Sequence, residues 1–261
     1  MARRPMPATL VPVPGVPTHS PIDPALDELH LRDLRAILGA EGDDVGAVYD
    51  RVADRYDAFR ELWLRRAGRE AEAALLADAR AFLHSGARVL DAGAGTGAIA
   101  RRLVAQEPGI VPTLIDLSPA MLDHAGDVPG EHLVGSILDL PFGDESFDLV
   151  VSGWVIETVD DPRRAVTEML RVLRPEGLVL YTFCSLPDGW LSRAGSVLLR
   201  AAVTRGFAGS FLDEDEHPWH DCGRSHLRRF RGGLTTEIAL AKCCTVARDV
   251  IPAPDQSRST T

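Results

Sequence analysis

The chain has little cysteine. Cys184, Cys222, Cys243 and Cys244 are the only four in 261 residues, too few for a disulfide framework in a chain this long. It has no uninterrupted apolar run of transmembrane length, so no membrane insertion is expected. It also lacks a basic excess: 28 Lys and Arg stand against 38 Asp and Glu, a formal net charge of −10. That argues against nucleic acid as the main partner, because neutralising phosphates needs a basic face. Arg3 and Arg4 give the start a positive flank, but Pro5, Pro7, Pro12, Pro14 and Pro17 interrupt the residues after it, so it is a poor signal peptide. A cytoplasmic protein is expected. There is no internal repeat. Length and an ordinary composition, 45% apolar and 25% charged, leave one sizeable domain with a small appendage.

What is present is an alternation. Runs at 87–92, 111–116, 131–135, 147–153 and 177–184 read as strands, and stretches at 97–106, 119–126 and 162–174 as helices. Asp161 and Pro162 suit the N-cap and first position of the last helix. This order means a parallel sheet with helices on both faces. Residues 25–85 ahead of it read as helical. Leu26, Leu29, Leu34 and Leu38 fit one helix. Val48, Tyr49, Val52, Tyr56, Phe59 and Trp63 form a stronger stripe over 45–63, with Asp50, Asp54, Asp57 and Glu61 outside it. A further helix is expected at 71–83. Residues 1–24 read as a disordered Pro-rich arm and 252–261 as a disordered tail. The core is expected over 86–251. Its insert at 186–233 carries a helix at 191–203, an acidic loop at 212–216 and a basic loop at 224–231. Leu234 to Lys242 reads as a closing strand.

The most informative stretch is Val89 to Ala98, where Gly93, Gly95 and Gly97 fall between a strand and a helix. A helix start offers unpaired N–H groups and the positive end of a dipole, and glycine lets a ligand approach the backbone closely. Asp116 ends the next strand, 23 residues after Gly93. A carboxylate there can accept both ribose hydroxyls of a nucleoside. The string fits the dinucleotide pattern G-x-G-x-x-A. It fits equally a turn of the form [DE]-x-G-x-G-x-G, through Asp91. An acid beside the turn is unhelpful to a pyrophosphate and suits a cation.

On these residues the chain resembles the class I S-adenosylmethionine (SAM) methyltransferases, in the subgroup with a compact core like the ubiquinone and menaquinone methyltransferases. Four further pieces carry the resemblance over 45–185: Tyr49 to Asp57, Ile115 to Leu122, Leu140 to Phe142 with Glu145 to Asp148, and Leu170 to Gly177. It implies a doubly wound Rossmann-like α/β fold. The seven-stranded sheet would be mostly parallel with an antiparallel last strand, behind an N-terminal helical lid. It also implies roles by position. Asp91 and the Gly93 backbone would hold the methionine amino group, with Gly95 and Gly97 in the same turn. Asp116 would bind the ribose, Leu117 and Met121 would flank the adenine, and Ile137 would meet it through its N–H. Gly153 would lie near the methionine moiety. The family often has an Asp where this chain has Ser136, a shorter and uncharged acceptor. The cofactor implied is SAM, leaving as S-adenosylhomocysteine, with a small molecule as substrate. A nicotinamide-dependent oxidoreductase and a non-catalytic SAM-binding or partner-binding protein are the other readings.

Methyl transfer from a sulfonium needs alignment and exclusion of water, and a general base only when the nucleophile arrives protonated. There are four catalytic candidates. Tyr49 and Tyr56 share a helix face and suit a nearby positive charge, though both also suit plain packing. Trp154 and Glu157 come after strand four, and Glu157 would orient or deprotonate the acceptor. His220 is an alternative base. The segment holding His217, His220, Cys222 and His226 matches no zinc knuckle, so no metal is expected. The Arg224, Arg228, Arg229 and Arg231 run reads as a solvated edge before an anion receptor, and the Cys243–Cys244 pair as buried.

Overall fold

The computed structural model describes residues 45–188 and 225–242, with 194, 196, 197, 200, 211 and 212 between them. The Pro-rich arm, the helix at 25–38, most of that at 191–203, the acidic loop after 212, Cys243–Cys244 and the tail lie outside the described residues. Helix α1 (Val45–Trp63) runs through a π turn (Leu64–Gly68) into α2 (Arg69–Ala79) and a 3-10 turn (Arg80–Phe82). Then come β1 (Arg88–Ala92), α3 (Ala98–Gln106), β2 (Val111–Asp116), α4 (Pro119–Asp123), β3 (Glu131–Val134) and β4 (Phe147–Gly153). A 3-10 turn (Ile156–Thr158), α5 (Pro162–Val172), β5 (Leu173–Cys184), β6 (Ser225–Phe230) and β7 (Thr235–Ala241) complete it. No helix among the described residues is long and apolar enough to cross a membrane.

The sheet order is β3-β2-β1-β4-β5-β7-β6. The pairs from β3 to β5 are parallel, and β7 runs antiparallel to both β5 and β6. This is the expected seven-stranded sheet with its last strand reversed. Neighbouring residues divide between its two faces. Leu90, Val150, Val179 and Ile238 pack with Met169 and Val172 of α5. Val89, Leu149, Leu180 and Ala239 pack with Leu75 of α2 and Leu103 of α3.

Three boundaries differ from the sequence reading. β5 starts at Leu173, not 177, because Pro175 disfavours helix in the residue before it. Leu173 then pairs with Phe147 across a bulge. α4 stops at Asp123, three residues early. The basic loop is β6, a strand whose arginines are neutralised. Arg228 pairs with Asp78 and with Glu237 on β7, Arg229 with Asp188, and Arg231 with Glu70.

Gly97 caps α3 with φ 75°, a left-handed conformation. A Cβ there would sit 2.9 Å from the Cβ of Ala125. Both facts fix the α3 start against the segment after α4. Gly97→Ala should therefore cost roughly 1–3 kcal/mol in urea unfolding, combining left-handed strain with overpacking.

Candidate active site at the carboxyl ends of the strands

The cleft lies where β1, β2 and β4 end, the usual ligand position of a doubly wound sheet. It encloses about 790 Å³ of empty space, part of it open to solvent. Tyr49, Tyr56, Gly93, Gly95, Asp116, Leu117, Met121, Ser136 and Ile137 all line it. These nine are sequence candidates, and the fold brings them together from four separate segments.

Asp116 is the centre. Its Oδ2 accepts the Gly95 N–H at 2.8 Å and its Oδ1 the Ser118 N–H at 2.9 Å. Burial raises its pKa, and those amides oppose the rise. A Cβ on Gly95 would come 3.1 Å from Met121 Cε and 3.9 Å from Tyr56 Cε1, so glycine there keeps the cleft floor clear. Ser136 Oγ accepts the Leu138 N–H at 3.1 Å.

Four candidates stand behind the surface and do not line the cleft. Asp91 is 2% exposed, and its Oδ2 accepts the Ala100 N–H at 3.1 Å, bracing the first turn of α3. Burial pushes its carboxyl up to about 7. Gly97 makes the cap already described. Gly153 lets α3 close on β4, since a Cβ there would meet Ile99 Cδ1 at 2.2 Å. Glu157 is 5% exposed, and its Oε1 accepts the Cys184 N–H at 3.0 Å. Burial carries its carboxyl from 4.5 to about 7, against that hydrogen bond. His220 lies outside the described residues.

The tyrosines of α1 meet edge to face, with ring centroids 5.9 Å apart. Burial, then negative neighbours, holds the Tyr49 phenol well above its usual range. Burial also raises that of Tyr56, against the pull of Arg60. Both are O–H donors at neutral pH rather than bases. Trp154 lines the cleft from the end of β4 with φ 63°, a left-handed conformation costing about 1–3 kcal/mol outside glycine. Its amide donates to Thr182 O at 2.9 Å, its indole N–H to Glu72 at 3.4 Å, and its ring meets Trp63 edge to face.

The sequence reading missed what the acids of α1 do. They lie off the apolar stripe, as expected, but two of them reach the strand-end turns and a third the end of α4. Asp57 accepts from Thr96 Oγ1 at 2.6 Å. Asp50 accepts from Ser118 Oγ at 2.5 Å and the Ala120 N–H at 3.3 Å. Asp54 lies 3.2 Å from His124. The available signal was a repeated Tyr-Asp pair at a spacing of seven, 49–50 and 56–57. Asp160, Val155 and Thr158 also line the cleft unforeseen. Of the His217, His220, Cys222 and His226 segment, where no metal is expected, only His226 is described, grouped with Asp78 at 3.0 Å and Glu237 at 3.7 Å on the β6–α2 side. Arg228 occupies the acids of that group, Asp78 and Glu237.

A family model for a methyltransferase domain matches residues 90–181. A demethylmenaquinone methyltransferase of Clavibacter sepedonicus is 32% identical over 203 residues, covering 72% of this chain and 81% of the relative. The chain belongs to the class I SAM-dependent methyltransferases. A demethylmenaquinone methyltransferase of Thermobifida fusca is 30% identical over 82% of this chain and 92% of its own. A malonyl-[acyl-carrier protein] O-methyltransferase of Pectobacterium atrosepticum is 35% identical, but over 62% and 60%. Among solved structures, a SAM-dependent methyltransferase of Thermotoga maritima shares the fold, with TM-score 0.56, 21% identity, 77% of this chain and 100% of that one covered. This methyltransferase has the mostly parallel seven-stranded sheet described above.

Because the folded pKa of Glu157 exceeds its ordinary value, the folded state holds a proton that the unfolded chain releases. Its stabilising contribution is full below 4.5 and is lost as pH rises through about 7. Glu157→Gln keeps the acceptor for Cys184 and removes the titration. Between those pH values the variant should lose stability less steeply, by up to about 1.4 kcal/mol per pH unit, in denaturant unfolding across a pH series.

Proposed function

We propose that the enzyme transfers the methyl group of SAM to a small-molecule acceptor in this cleft and releases S-adenosylhomocysteine. The charge of the cleft carries the reading. Asp116 and Asp160 line it, and no Lys, Arg or His does so among the described residues. A dinucleotide would bring a pyrophosphate to an acidic wall. SAM brings a sulfonium and an ammonium, which that wall and the aromatic rings favour. The cleft fits such a group.

Asp116 would accept the ribose hydroxyls with the lone pairs its two amides leave free. Leu117 and Met121 would flank the adenine, with Ser136 and the Ile137 N–H at its edge. Gly93 and Gly95 would let the methionine part lie on the backbone. Gly97 and Gly153 would act through packing, and Asp91 by bracing the turn and adding negative charge behind it. When bound, SAM supplies an already activated methyl group. The chain must then align an acceptor and keep out water, and Tyr49, Tyr56 and Trp154 are placed to do so. Where the acceptor arrives with an O–H or N–H, a base is needed; Glu157 stands behind the cleft wall with Oε1 on the Cys184 N–H, so it would act through the residues that line the cleft and not on the acceptor itself. His220 is the alternative base. The named relatives differ in acceptor, so only the donor chemistry is carried over.

Calorimetry should show binding of SAM and S-adenosylhomocysteine and none of NAD; tight NAD binding without SAM binding would reverse the reading. Asp116→Ala should weaken SAM binding by roughly 1–3 kcal/mol, the scale for hydrogen bonds to a charged group. Tyr49→Phe and Tyr56→Phe should both fold. One of them should lower kcat more than it weakens SAM binding, because alignment acts on the transition state.

A further inference from the structure

Tyr49 and Tyr56 lie two helical turns apart on α1, and so do the residues after them, Asp50 and Asp57. The tyrosines line the cleft. The aspartates, one position on and so rotated about 100° around the helix, meet the turns beside it. Each reaches a hydroxyl that is itself buried: Thr96 is 2% exposed and Ser118 is 0% exposed. Ser118 Oγ donates to Asp50 while it accepts the Met121 N–H at 3.1 Å, capping α4.

These two turns are the ones that hold Asp116. The Ser118 amide goes to one carboxylate oxygen, and the amide of Gly95, next to Thr96, goes to the other. The contacts form a closed chain from Asp50 through Ser118, Asp116, Gly95 and Thr96 to Asp57. Exposed polar contacts contribute little on their own. Here the hydroxyls are buried, and losing the partner of a buried group costs more than losing a surface pair.

We propose that Asp50 and Asp57 are positioning residues: they clamp the two turns that orient Asp116 and, through the same helix, set Tyr49 and Tyr56 over the cleft. Its binding consequence rests on the SAM reading; the clamp itself does not. Helix docking and ribose binding then act on the same two turns, so each favours the other.

The test uses the full chain and the variants Asp50→Ala, Asp57→Ala, their combination, Thr96→Val alone and joined to Asp57→Ala, and Thr96→Ser. Hydrogen exchange is followed without ligand, and S-adenosylhomocysteine affinity by calorimetry. In the double variant the amides of 45–63 should exchange at least about tenfold faster, with β1 and β4 unchanged. The dissociation constant should rise roughly ten- to hundredfold, the scale for charge-assisted hydrogen bonds. Thr96→Val should match Asp57→Ala and add nothing to it, and Thr96→Ser should behave as the parent. Exchange at the parent rate in the double variant would overturn the proposal. So would faster exchange with unaltered affinity, which would reduce the aspartates to stabilisers of the helix, or independent addition of Thr96→Val and Asp57→Ala. A parent that binds no S-adenosylhomocysteine would remove the donor assignment, and the exchange data would still decide the clamp.

Discussion

The site depends on one carboxylate shared between two turns. Asp116 sits at the tip of β2 and receives an amide from the glycine turn after β1 and another from the turn before α4. At the tips of β1 and β2 the Gly93 and Ala94 amides both donate to Ile115 O, at 2.8 and 3.0 Å, and the turns beyond them need a further tie. A single anion with two oxygens ties them together without covering the space beside it. The arrangement needs glycine at 95, whose missing Cβ leaves room for Met121 and Tyr56 at the same wall. It also needs the serine at 118, which caps α4 with one atom and holds Asp116 with another. The cleft walls therefore come from elements far apart in sequence but pinned to one group.

A second constraint sets the opposite wall. Glu72 of α2 is 1% exposed and accepts from Arg60 of α1, from Arg102 of α3 and from the Trp154 indole. A buried carboxylate is tolerated only when its lone pairs are satisfied, and here three elements do so. One donor is Trp154, the residue in a left-handed conformation at the end of β4. Strain of that kind persists only where the surroundings over-determine it. The Glu72 contact, the Trp63 ring and the Thr182 carbonyl supply that determination. The long helical lead-in is thus joined to the core at both walls, through Asp50 and Asp57 on one side and through Glu72, which Arg102 and Trp154 reach, on the other.

Much of this was legible in the sequence, for definite reasons. The parallel sheet came from alternating runs, because buried parallel strands leave uninterrupted apolar stretches such as Leu149 to Val151, and its seven strands with the last reversed came from the resemblance. Gly93, Gly95 and Asp116 came from the glycine turn and the spacing of one strand–helix–strand unit, Tyr49 and Tyr56 from a helical stripe, and Leu117, Met121, Ser136 and Ile137 from the resemblance. The features that stayed hidden depended on partners remote in sequence. Asp50 and Asp57 read as a helix's outer face because nothing local shows that Ser118 and Thr96 lie opposite. β6 read as a basic loop with a solvated strand edge, and what stayed hidden is that its Arg228 is met by Asp78 and Glu237. Asp91 and Gly153 read as ligand contacts. Their observed contacts are with α3, through the Ala100 amide and the space left for Ile99.

The acids of the site also share a consequence. Burial lifts the carboxyls of Asp91 and Glu157 to about 7 and raises that of Asp116 as well. Near neutral pH Asp91 and Glu157 carry part of a proton each, because desolvation disfavours the charged form. A cation entering the cleft supplies the opposite term and favours ionisation. Its binding is then coupled to proton release, and its affinity rises as pH passes upward through the range where these carboxyls titrate. An anion would experience the reverse: it would have to keep those carboxyls protonated and would bind better in acid. The same burial that makes the carboxylates costly thus favours a positive charge beside them. It does so without a basic residue anywhere on the described walls.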